Sequence, residues 1–557
     1  MMTLFCPGGT QYHRPVQLLS YKLILLLSVA LAVWFLIRLN QDQRHRIDST
    51  ANGPIPDPFG YGEPATRFIV DTPGCTIPDI DPFDPSLRKI VFPGKPLICT
   101  TKPSLTYTIE GSLYINKTAL RLHYDDVLDR CQYEGIVRPA EAKSDNVYKY
   151  LPPVEFKDDV LNVSSEFLRV ACFGKRGHML YANFHAMVAP KQRTELLRNE
   201  QFEAFRARAD VQDPFDFLIV GVDSVSRLNF VRQMPRTRRF LIERLEAVEL
   251  KGYNKVADNT FVNLAPMFAG QYADELPWDA ANPDATFDDC PFIWKRAATH
   301  GYRTLFAEDA PTIAIFNYEK AGFQRPPTDY YLRPFSLAVE DHGSVWNAKH
   351  NCIGPKPETE VVLDYVSDFV RLFAGKPRFA FAFLTRLTHD GINKAGAADP
   401  LYLDFFRKLD DAGHLENAVV LFYSDHGMRF GAIRETYIGQ LEERLPFTMI
   451  GLPVAFRRKY PEYMSALRRN ERRLTTPFDI YTTLSSLLEF TGDELPPNEL
   501  TQRGMNLLVD IPIERTCLTA TIHSHWCTCH RQEAVDVNSD VIRLAALRNR
   551  RSHQRLD

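Results

Sequence analysis

The chain has 557 residues, which is enough for one large catalytic domain with a smaller companion region. Apolar residues make up 45% of it and charged residues 24%, a balance that excludes disorder over most of the length. The formal net charge of −3 offers no basic surplus, so no nucleic-acid binding is expected.

The first predicted element is a transmembrane helix at residues 21–39, preceded by a cytoplasmic tail at residues 1–20. Its apolar run from Leu23 to Ile37 is broken only by Ser28, and it is slightly short for a bilayer span of about 20 residues. No small-residue cleavage site follows, so an uncleaved signal-anchor is favoured over a cleaved signal peptide or a soluble helix. The flanking basic residues do not settle the orientation.

Glycosylation sequons and cysteines indicate where the rest of the chain lies. Asn116 and Asn162 each begin an acceptor sequence for N-glycans. Nine of the ten cysteines follow the predicted span, and this is typical of disulfides formed in an oxidising compartment. Because nine is odd, at least one cysteine is free or pairs between chains. We therefore predict a single-pass membrane protein whose catalytic domain is luminal or extracellular, in the Golgi, in the endoplasmic reticulum or at the cell surface.

The composition and the predicted secondary structure of the sequence change three times after the predicted span. Residues 40–73 are polar and rich in Pro and Gly, which is typical of a stem or linker. Residues 74–205 combine four cysteines with short alternating apolar runs, which predicts a β-rich, disulfide-tied region. Strands and helices alternate over residues 206–515, which predicts an α/β domain with a mainly parallel sheet and helices on both faces. A cysteine-containing extension follows at residues 516–557.

Three of the predicted strands end in polar residues. These ends carry, in chain order, Asp223, then His389 and Asp390, then Asp425 and His426. In such sheets ligands bind outside the carboxyl ends of the strands, so the three ends predict one site. Oxygen and imidazole ligands suit zinc best, with manganese or calcium as alternatives. Taken alone, the Asp-His pair is equally consistent with a capping aspartate and a hydrogen-bonded histidine.

The segment DNTFVN contains a candidate nucleophile. Thr260 precedes an apolar, helix-like stretch that ends at Gly270, and a threonine there is most often a simple N-cap. A threonine hydroxyl at a helix N-terminus beside a metal is also an activated nucleophile, since the metal lowers its pKa and the helix end favours phosphate. Asn263, one turn later, is predicted to donate its amide to a developing oxyanion.

Three further residues are weaker candidates. Arg227 is predicted either to clamp a phosphate or to pair with a surface acid. Glu308, at the end of another strand, is predicted to shape the substrate pocket or to support the metal. His525 is a candidate metal ligand, although a surface histidine in a disulfide-tied segment is the simpler interpretation.

Together these motifs resemble the alkaline phosphatase and sulfatase superfamily, and within it the family of sulfatase-like membrane proteins known as domain of unknown function 229. The resemblance covers about residues 75–530 and rests on these segments: GVDSVSRLNFVRQMPRT, DNTFVNLAPMFAG, LTHDGIN, LFYSDHGMRFG, EERLPF and RTC…HWCTC. It implies an alkaline-phosphatase-like fold with one metal site made by Asp223, Thr260, Asp425 and His426. It also implies that His389, with Asp390, binds a second metal or protonates the leaving group.

The nucleophile limits the chemistry that this resemblance implies. Sulfatases of the superfamily use a Cys or Ser in a Cys/Ser-x-Pro-x-Arg motif, whereas Thr260 is followed by Phe261 and Val262. The resemblance therefore implies hydrolysis or transfer of a phosphoric ester, in particular a phosphodiester, of a glycan, lipid or nucleotide-type substrate. A sulfuric-ester hydrolase and a catalytically inactive binding ectodomain are the alternatives.

Overall fold

The structure is a computed structural model that describes residues 68–529, except for residues 101, 157–159, 209–213, 344 and 348–350. The predicted tail, the predicted membrane span and most of the predicted stem lie outside the described residues. Among the helices that are described, none combines the length and the apolar character needed to cross a membrane. All described residues belong to one compact unit.

The β-strands of the described residues range from two to ten residues, and the longest is in the N-terminal region. In chain order they are β1 (Phe68–Thr72), β2 (Cys75–Pro78), β3 (Thr106–Ile109), β4 (Ser112–Ile115), β5 (Leu128–Val137), β6 (Lys149–Tyr150), β7 (Val154–Phe156), β8 (Val160–Asn162), β9 (Phe167–Gly174), β10 (Met179–Ala186), β11 (Asp216–Val222), β12 (Val248–Glu249), β13 (Gly252–Tyr253), β14 (Arg303–Glu308), β15 (Tyr330–Tyr331), β16 (Trp346–Asn347), β17 (Cys352–Ile353), β18 (Lys356–Pro357), β19 (Arg378–Leu384), β20 (Ala418–Tyr423), β21 (Thr448–Gly451) and β22 (Leu474–Thr475).

The α-helices alternate with the strands of the central sheet. In chain order they are α1 (Lys117–His123), α2 (Gln192–Arg206), α3 (Arg227–Gln233), α4 (Pro235–Glu243), α5 (Thr260–Ala269), α6 (Ile293–Thr299), α7 (Arg333–Glu340), α8 (Glu358–Leu372), α9 (Ala395–Asp411), α10 (Tyr437–Arg444), α11 (Val454–Lys459), α12 (Pro461–Asn470) and α13 (Pro477–Leu488).

The central sheet has seven strands in the order β12-β21-β20-β11-β19-β14-β15. The five strands β20, β11, β19, β14 and β15 are parallel to one another, whereas β21 is antiparallel to both β20 and β12. The predicted α/β class with a mainly parallel sheet is therefore confirmed, and the antiparallel edge makes the sheet a mixed one. In the register of the three central strands, Gly221 is paired with both Phe383 and Tyr423, so the strands end at the same level.

Both faces of the sheet are covered, as the unbroken apolar strands predict. Successive side chains of a strand point to opposite faces. In β11, Leu218 and Val220 pack into one buried cluster, together with residues of α8 and α9. Phe217 and Ile219 pack into a second cluster, together with residues of α5 and α13. The strand is buried on both sides because helices cover both faces.

The N-terminal part of the described chain is rich in β-strands. β10, β9, β5 and β6 form one antiparallel sheet, with β7 also paired to β5, and β3, β4 and β8 form another. Of the two sequon asparagines, Asn116 caps α1 and Asn162 is exposed in β8. Their glycosylation and the domain boundaries at residues 205 and 515 stay predictions.

Disulfides join parts of the chain that are far apart in sequence. The pairs are Cys75–Cys529, Cys99–Cys352, Cys131–Cys172 and Cys517–Cys527. Cys290 is free and buried, and burial raises the pKa of its thiol to about 11. The nine cysteines after residue 40 thus give four disulfides and one free thiol, as their odd number requires.

A buried ion pair between Asp479 of α13 and Arg515 provides a test of how the C-terminal part of the chain packs. Both nitrogens Nη1 and Nη2 of Arg515 bond to the carboxylate of Asp479, at 2.7 and 2.9 Å, and both side chains are at most 1% exposed. We expect Arg515→Met to lower the free energy of unfolding by ~3–5 kcal/mol, because it leaves a buried carboxylate without its partner.

The matched control is Arg469→Met, which removes an exposed pair with Asp510. Its expected cost is below ~1 kcal/mol, since exposed pairs contribute little. Urea unfolding followed by circular dichroism measures both variants. Equal losses in the two variants would contradict the role given to Arg515.

Candidate metal centre

Three potential metal ligands meet at the carboxyl end of the central sheet. Asp223 directly follows β11, and Asp425 and His426 follow β20 after one serine. One ligand atom from each of these side chains lies within 4.8 Å of the other two. His426 Nε2 is 3.1 Å from Asp425 Oδ2 and 3.9 Å from Asp223 Oδ1. The structure therefore brings together three of the residues that the sequence predicts as ligands.

The donor atoms of this cluster fit a divalent metal. Asp425 Oδ2 and His426 Nε2 are both buried and make no hydrogen bond with the described residues. His426 Nδ1 lies 2.8 Å from the carbonyl oxygen of Gly427, so it carries the ring proton and leaves the lone pair on Nε2. Buried polar atoms without partners are costly, and a cation between them would remove that cost. Two carboxylates and one imidazole are a donor set suited to zinc.

Burial also shifts the ionisation of the ligands. It raises the pKa of Asp223 well above the usual value, and the neighbouring charge of Asp425 raises it further. Burial lowers the pKa of His426, although the charge of Asp425 opposes this shift. A divalent cation would favour ionised Asp223 and neutral His426. The environment of these ligands is thus costly for anions unless a positive charge is bound.

The loops after β11 and β20 fix the ligands through a sharp turn on each side. Ser224 has a φ of +63°, and its backbone N–H donates to Asp425 Oδ1 at 3.2 Å. Its hydroxyl donates to Asp223 Oδ1 at 2.6 Å. Gly427 is required after His426, because a Cβ atom there would lie 2.1 Å from the carbonyl oxygen of Glu442. Ser224 thus orients both carboxylates of the cluster.

Thr260 is the first residue of α5 and is half-buried. The preceding Asn259 makes no side-chain capping bond, so this residue leaves the first N–H groups of the helix free for an anion. The loop before Thr260 approaches the metal-ligand loop, since Asp258 pairs with Arg429 at 2.8 Å. The role of Thr260 as a ligand and nucleophile stays a prediction.

Asn263 braces the loop that leads to Thr260. Its Oδ1 accepts hydrogen bonds from the N–H groups of Val256 and Ala257, at 2.9 and 3.0 Å. Its Nδ2 donates to the carbonyl oxygens of Ala257 and Asn259, at 3.0 and 2.9 Å. Because both amide hydrogens are engaged, the observed contacts make Asn263 a positioning residue. Its predicted contact with an oxyanion stays a prediction.

The structure adds Lys255, which the sequence reasoning missed. Lys255 is fully buried, pairs with Glu443 and donates to the carbonyl oxygen of Asp258 at 3.0 Å. The ring of Trp526 lies 4.1 Å from its ammonium nitrogen. Glu443 accepts from the N–H of Gly427 through its backbone carbonyl, at 3.0 Å. The Lys255–Glu443 pair therefore ties the Thr260 loop to the loop that carries His426.

His389 and Asp390 lie outside the compact ligand cluster. His389 Nδ1 is 2.7 Å from Asp390 Oδ1, and their side chains are 26% and 77% exposed. The ring of His389 lies 5.7 Å from that of Phe430, four residues after His426. Their predicted role in a second metal site or in proton transfer is therefore open to test, on a more exposed part of the same sheet edge.

The remaining predicted residues have other partners. Burial lowers the pKa of Arg227, although the nearby charges of Glu249 and Glu442 oppose this shift. Glu308 accepts a hydrogen bond from the N–H of Ile315 at 2.9 Å. His525 is exposed beside Trp526 and is not part of the ligand cluster among the described residues. The roles predicted for Arg227 and Glu308 in substrate binding stay predictions.

Glu308 gives the protein a stability that depends on pH. Burial raises the pKa of Glu308 to about 8 in the folded chain, from a usual value near 4.5. The folded state then binds more protons, so stability falls as the pH rises from about 4.5 to about 8. We expect Glu308→Gln to reduce this slope and to stabilise the protein at pH 8 relative to the native chain.

Urea midpoints measured at about pH 5, 6.5 and 8 test this expectation, because these values span the interval between the two pKa values of Glu308. The exposed Glu494→Gln variant is the control and is expected to keep the native slope. An unchanged slope in Glu308→Gln would show that Glu308 is ionised in the folded protein at neutral pH.

The solved structures that are similar to the chain include bacterial proteins of low identity. The C-terminal periplasmic domain of EcEptC from Escherichia coli is 10% identical, with 54% of this chain and 88% of that chain covered and a TM-score of 0.35. The lipoteichoic acid synthase LtaP from Listeria monocytogenes is 12% identical, with 58% of this chain and 81% of that chain covered and a TM-score of 0.33. A phosphonate monoester hydrolase from Silicibacter pomeroyi is 13% identical, with 54% of this chain and 77% of that chain covered and a TM-score of 0.36.

No activity is inferred from similarities of this size. No curated protein matches the chain. A family model does match it over residues 98–553, which is most of its length, and carries the description "protein of unknown function". The chain therefore belongs to the DUF229 family, as the motifs around Asp223, Thr260 and Asp425 predict.

Proposed function

We propose that this protein is a metal-dependent hydrolase or transferase of phosphoric esters, in particular phosphodiesters, with Thr260 as its nucleophile. One observation carries the proposal above the others. Asp425 Oδ2 and His426 Nε2 are buried donor atoms without hydrogen-bond partners, and they lie 3.1 Å apart beside Asp223. Such an arrangement suits a bound cation, and a hydroxyl at a neighbouring helix N-terminus suits a nucleophile.

The residues of the chain divide the reaction between them. Asp223, Asp425 and His426 hold the metal, for which zinc is proposed and manganese or calcium are alternatives. When bound, the metal lowers the pKa of a nearby hydroxyl and neutralises phosphate charge. The uncapped N-terminus of α5 favours a phosphate at the same place.

Two displacements at phosphorus complete the proposed reaction. Thr260 Oγ1 releases its proton to solvent water and forms a bond to phosphorus while the bond to the leaving oxygen breaks. His389 protonates that oxygen, with Asp390 orienting the ring through Nδ1. Water or an acceptor hydroxyl then displaces Thr260 Oγ1, which regains a proton from solvent, while the unprotonated His389 takes up the proton of the attacking water or hydroxyl. Attack by water makes the protein a hydrolase, and attack by an acceptor hydroxyl makes it a transferase.

The proposed substrates are phosphorylated glycans, lipids or nucleotide-type molecules. A luminal or extracellular position for the catalytic region is part of the same proposal. Four disulfides within the described residues support it, because such bonds form and persist in oxidising compartments. Membrane anchoring by residues 21–39 is also part of this proposal, and it rests on the sequence alone.

Substitution of Thr260 tests the nucleophile. We expect Thr260→Ala to lower kcat on bis(p-nitrophenyl) phosphate by roughly 10³-fold or more, since no hydroxyl remains to attack phosphorus. Thr260→Ser keeps the hydroxyl and is expected to keep measurable turnover. The control is Thr299→Ala, an exposed threonine whose hydroxyl bonds only to the helix carbonyl of Arg296. Native activity in Thr260→Ala would refute this nucleophile.

Substitution of Asp425 tests the metal site separately from catalysis. Asp425→Asn keeps the shape of the side chain and removes its charge, so we expect the zinc content of the purified chain to fall to background. Zinc is also expected to raise the melting temperature of the chelator-treated native chain but not that of the variant. These readouts come from elemental analysis and calorimetry. Metal binding without turnover of any tested ester would favour a binding ectodomain over an enzyme.

A further inference from the structure

Three cationic side chains surround the buried carboxylate of Glu443 next to the candidate metal centre, and a fourth pairs with the nearby Asp258. We call them the cationic cluster: Lys255, Arg429, Arg434 and Arg444. Lys255 pairs directly with Glu443. The Oε2 atom of Glu443 is also 3.6 Å from Arg434 Nη1 and 4.0 Å from Arg444 Nε. Arg429 pairs with Asp258 at 2.8 Å.

The cationic cluster carries more positive charge than its partners neutralise. The carboxylates in ion pairs with it are Glu443 and Asp258, so four cations face two anions among the described residues. The neighbouring Glu442 does not change this balance, because it forms its own pair with Arg232 at 2.6 Å. A surplus of like charge in one place repels itself and attracts an anion from solution.

The arginines of the cationic cluster keep unused hydrogen-bond donors and reach the surface. Arg434 Nη1 and Arg444 Nε are buried and face Glu443 without forming a hydrogen bond, and the buried Arg429 Nε also has no hydrogen-bond partner among the described residues. Their side chains are 32%, 20% and 21% exposed. A guanidinium group binds phosphate, sulfate and carboxylate through paired donors, so these side chains suit an anionic ligand. Lys255 differs, because it is buried and its charge is taken by Glu443.

The cationic cluster lies close to the proposed reaction centre. Glu443 is bonded through its backbone to Gly427, the residue after His426. Arg429 follows His426 by three residues, and its partner Asp258 precedes Thr260 by two. The charge of Arg429 also lowers the pKa of Asp223, although burial raises it overall. A molecule bound at the metal would therefore have this positive surface beside it.

We propose that the cationic cluster binds a second anionic group of the substrate, through Arg434 and Arg444 with Arg429 at the side nearest the metal. The proposal rests on the proposed function and narrows it. The substrate is then an ester that carries at least one phosphate, sulfate or carboxylate in addition to the group that reacts. A phosphorylated or sulfated glycan and an anionic lipid headgroup both meet this requirement.

Binding of a dense anion tests the proposal without any need for turnover. The probe is inositol hexakisphosphate, titrated by calorimetry into the full chain with zinc and again after chelation. We expect Arg434→Gln/Arg444→Gln to weaken binding by on the order of tenfold or more, because two charged contacts are lost. We also expect native binding to weaken as salt rises. The control, Arg469→Gln, removes an exposed arginine on α12 and is expected to bind as the native chain does.

Two additional measurements keep the test decisive if the double variant is unstable. Arg434→Lys retains the charge and is expected to restore most of the affinity that Arg434→Gln loses, and melting curves report the folding of each variant. Equal binding by the native chain, the double variant and the control would overturn the inference. Binding that depends on the two arginines in a chain without esterase activity would support the anion site while removing the proposed reaction.

A kinetic comparison then connects the cationic cluster to the substrate. Two nitrophenyl phosphodiesters that differ only by one added carboxylate are given to each variant. We expect the double variant to raise KM for the carboxylated ester several-fold more than for the other. An equal change for both esters would overturn the assignment of the cationic cluster to a second anionic group.

Discussion

The burial of two carboxylates side by side is the constraint on which the site depends. Asp223 and Asp425 are each about 1% exposed, and neither forms an ion pair with an arginine or lysine among the described residues. Such an arrangement is costly in a protein interior unless a cation or a proton balances it. The fold imposes it through β11 and β20, which are neighbours in parallel and end at the same level. A metal centre is the arrangement that this geometry supports best.

A second layer of contacts holds the loops around the candidate site. Lys255 and Glu443 join the loop before Thr260 to the loop after His426, and they are separated by 188 residues in sequence. Trp526 covers Lys255 and belongs to the C-terminal segment that Cys529 ties to Cys75. Thr528 adds a hydrogen bond to Asn254 at 2.5 Å. The C-terminal segment, although far from these loops in sequence, is therefore part of the support of the candidate site.

Much of the candidate site could be predicted from local patterns. The apolar runs before Asp223 and Asp425 identify buried strands, and in a parallel sheet the carboxyl ends of such strands lie together. Lys255 could not be found in this way, because its significance comes from Glu443 and Trp526, and no periodicity connects such distant residues. Asn263 illustrates a different limit. Its spacing from Thr260 predicted a contact with an oxyanion beside the proposed nucleophile, whereas in the structure its amide is bonded to the backbone of the loop.

The sequence by itself determined the α/β alternation, the family, the three candidate ligands at the strand ends and the odd number of cysteines. These follow from residue type and from short-range order, which a single chain displays directly. Only the tertiary structure decided the antiparallel edge of the sheet, the disulfide pairing and the cationic cluster around Glu443. The reason is physical: these features depend on which distant segments pack together, and many different packings satisfy the same local pattern of apolar and charged residues.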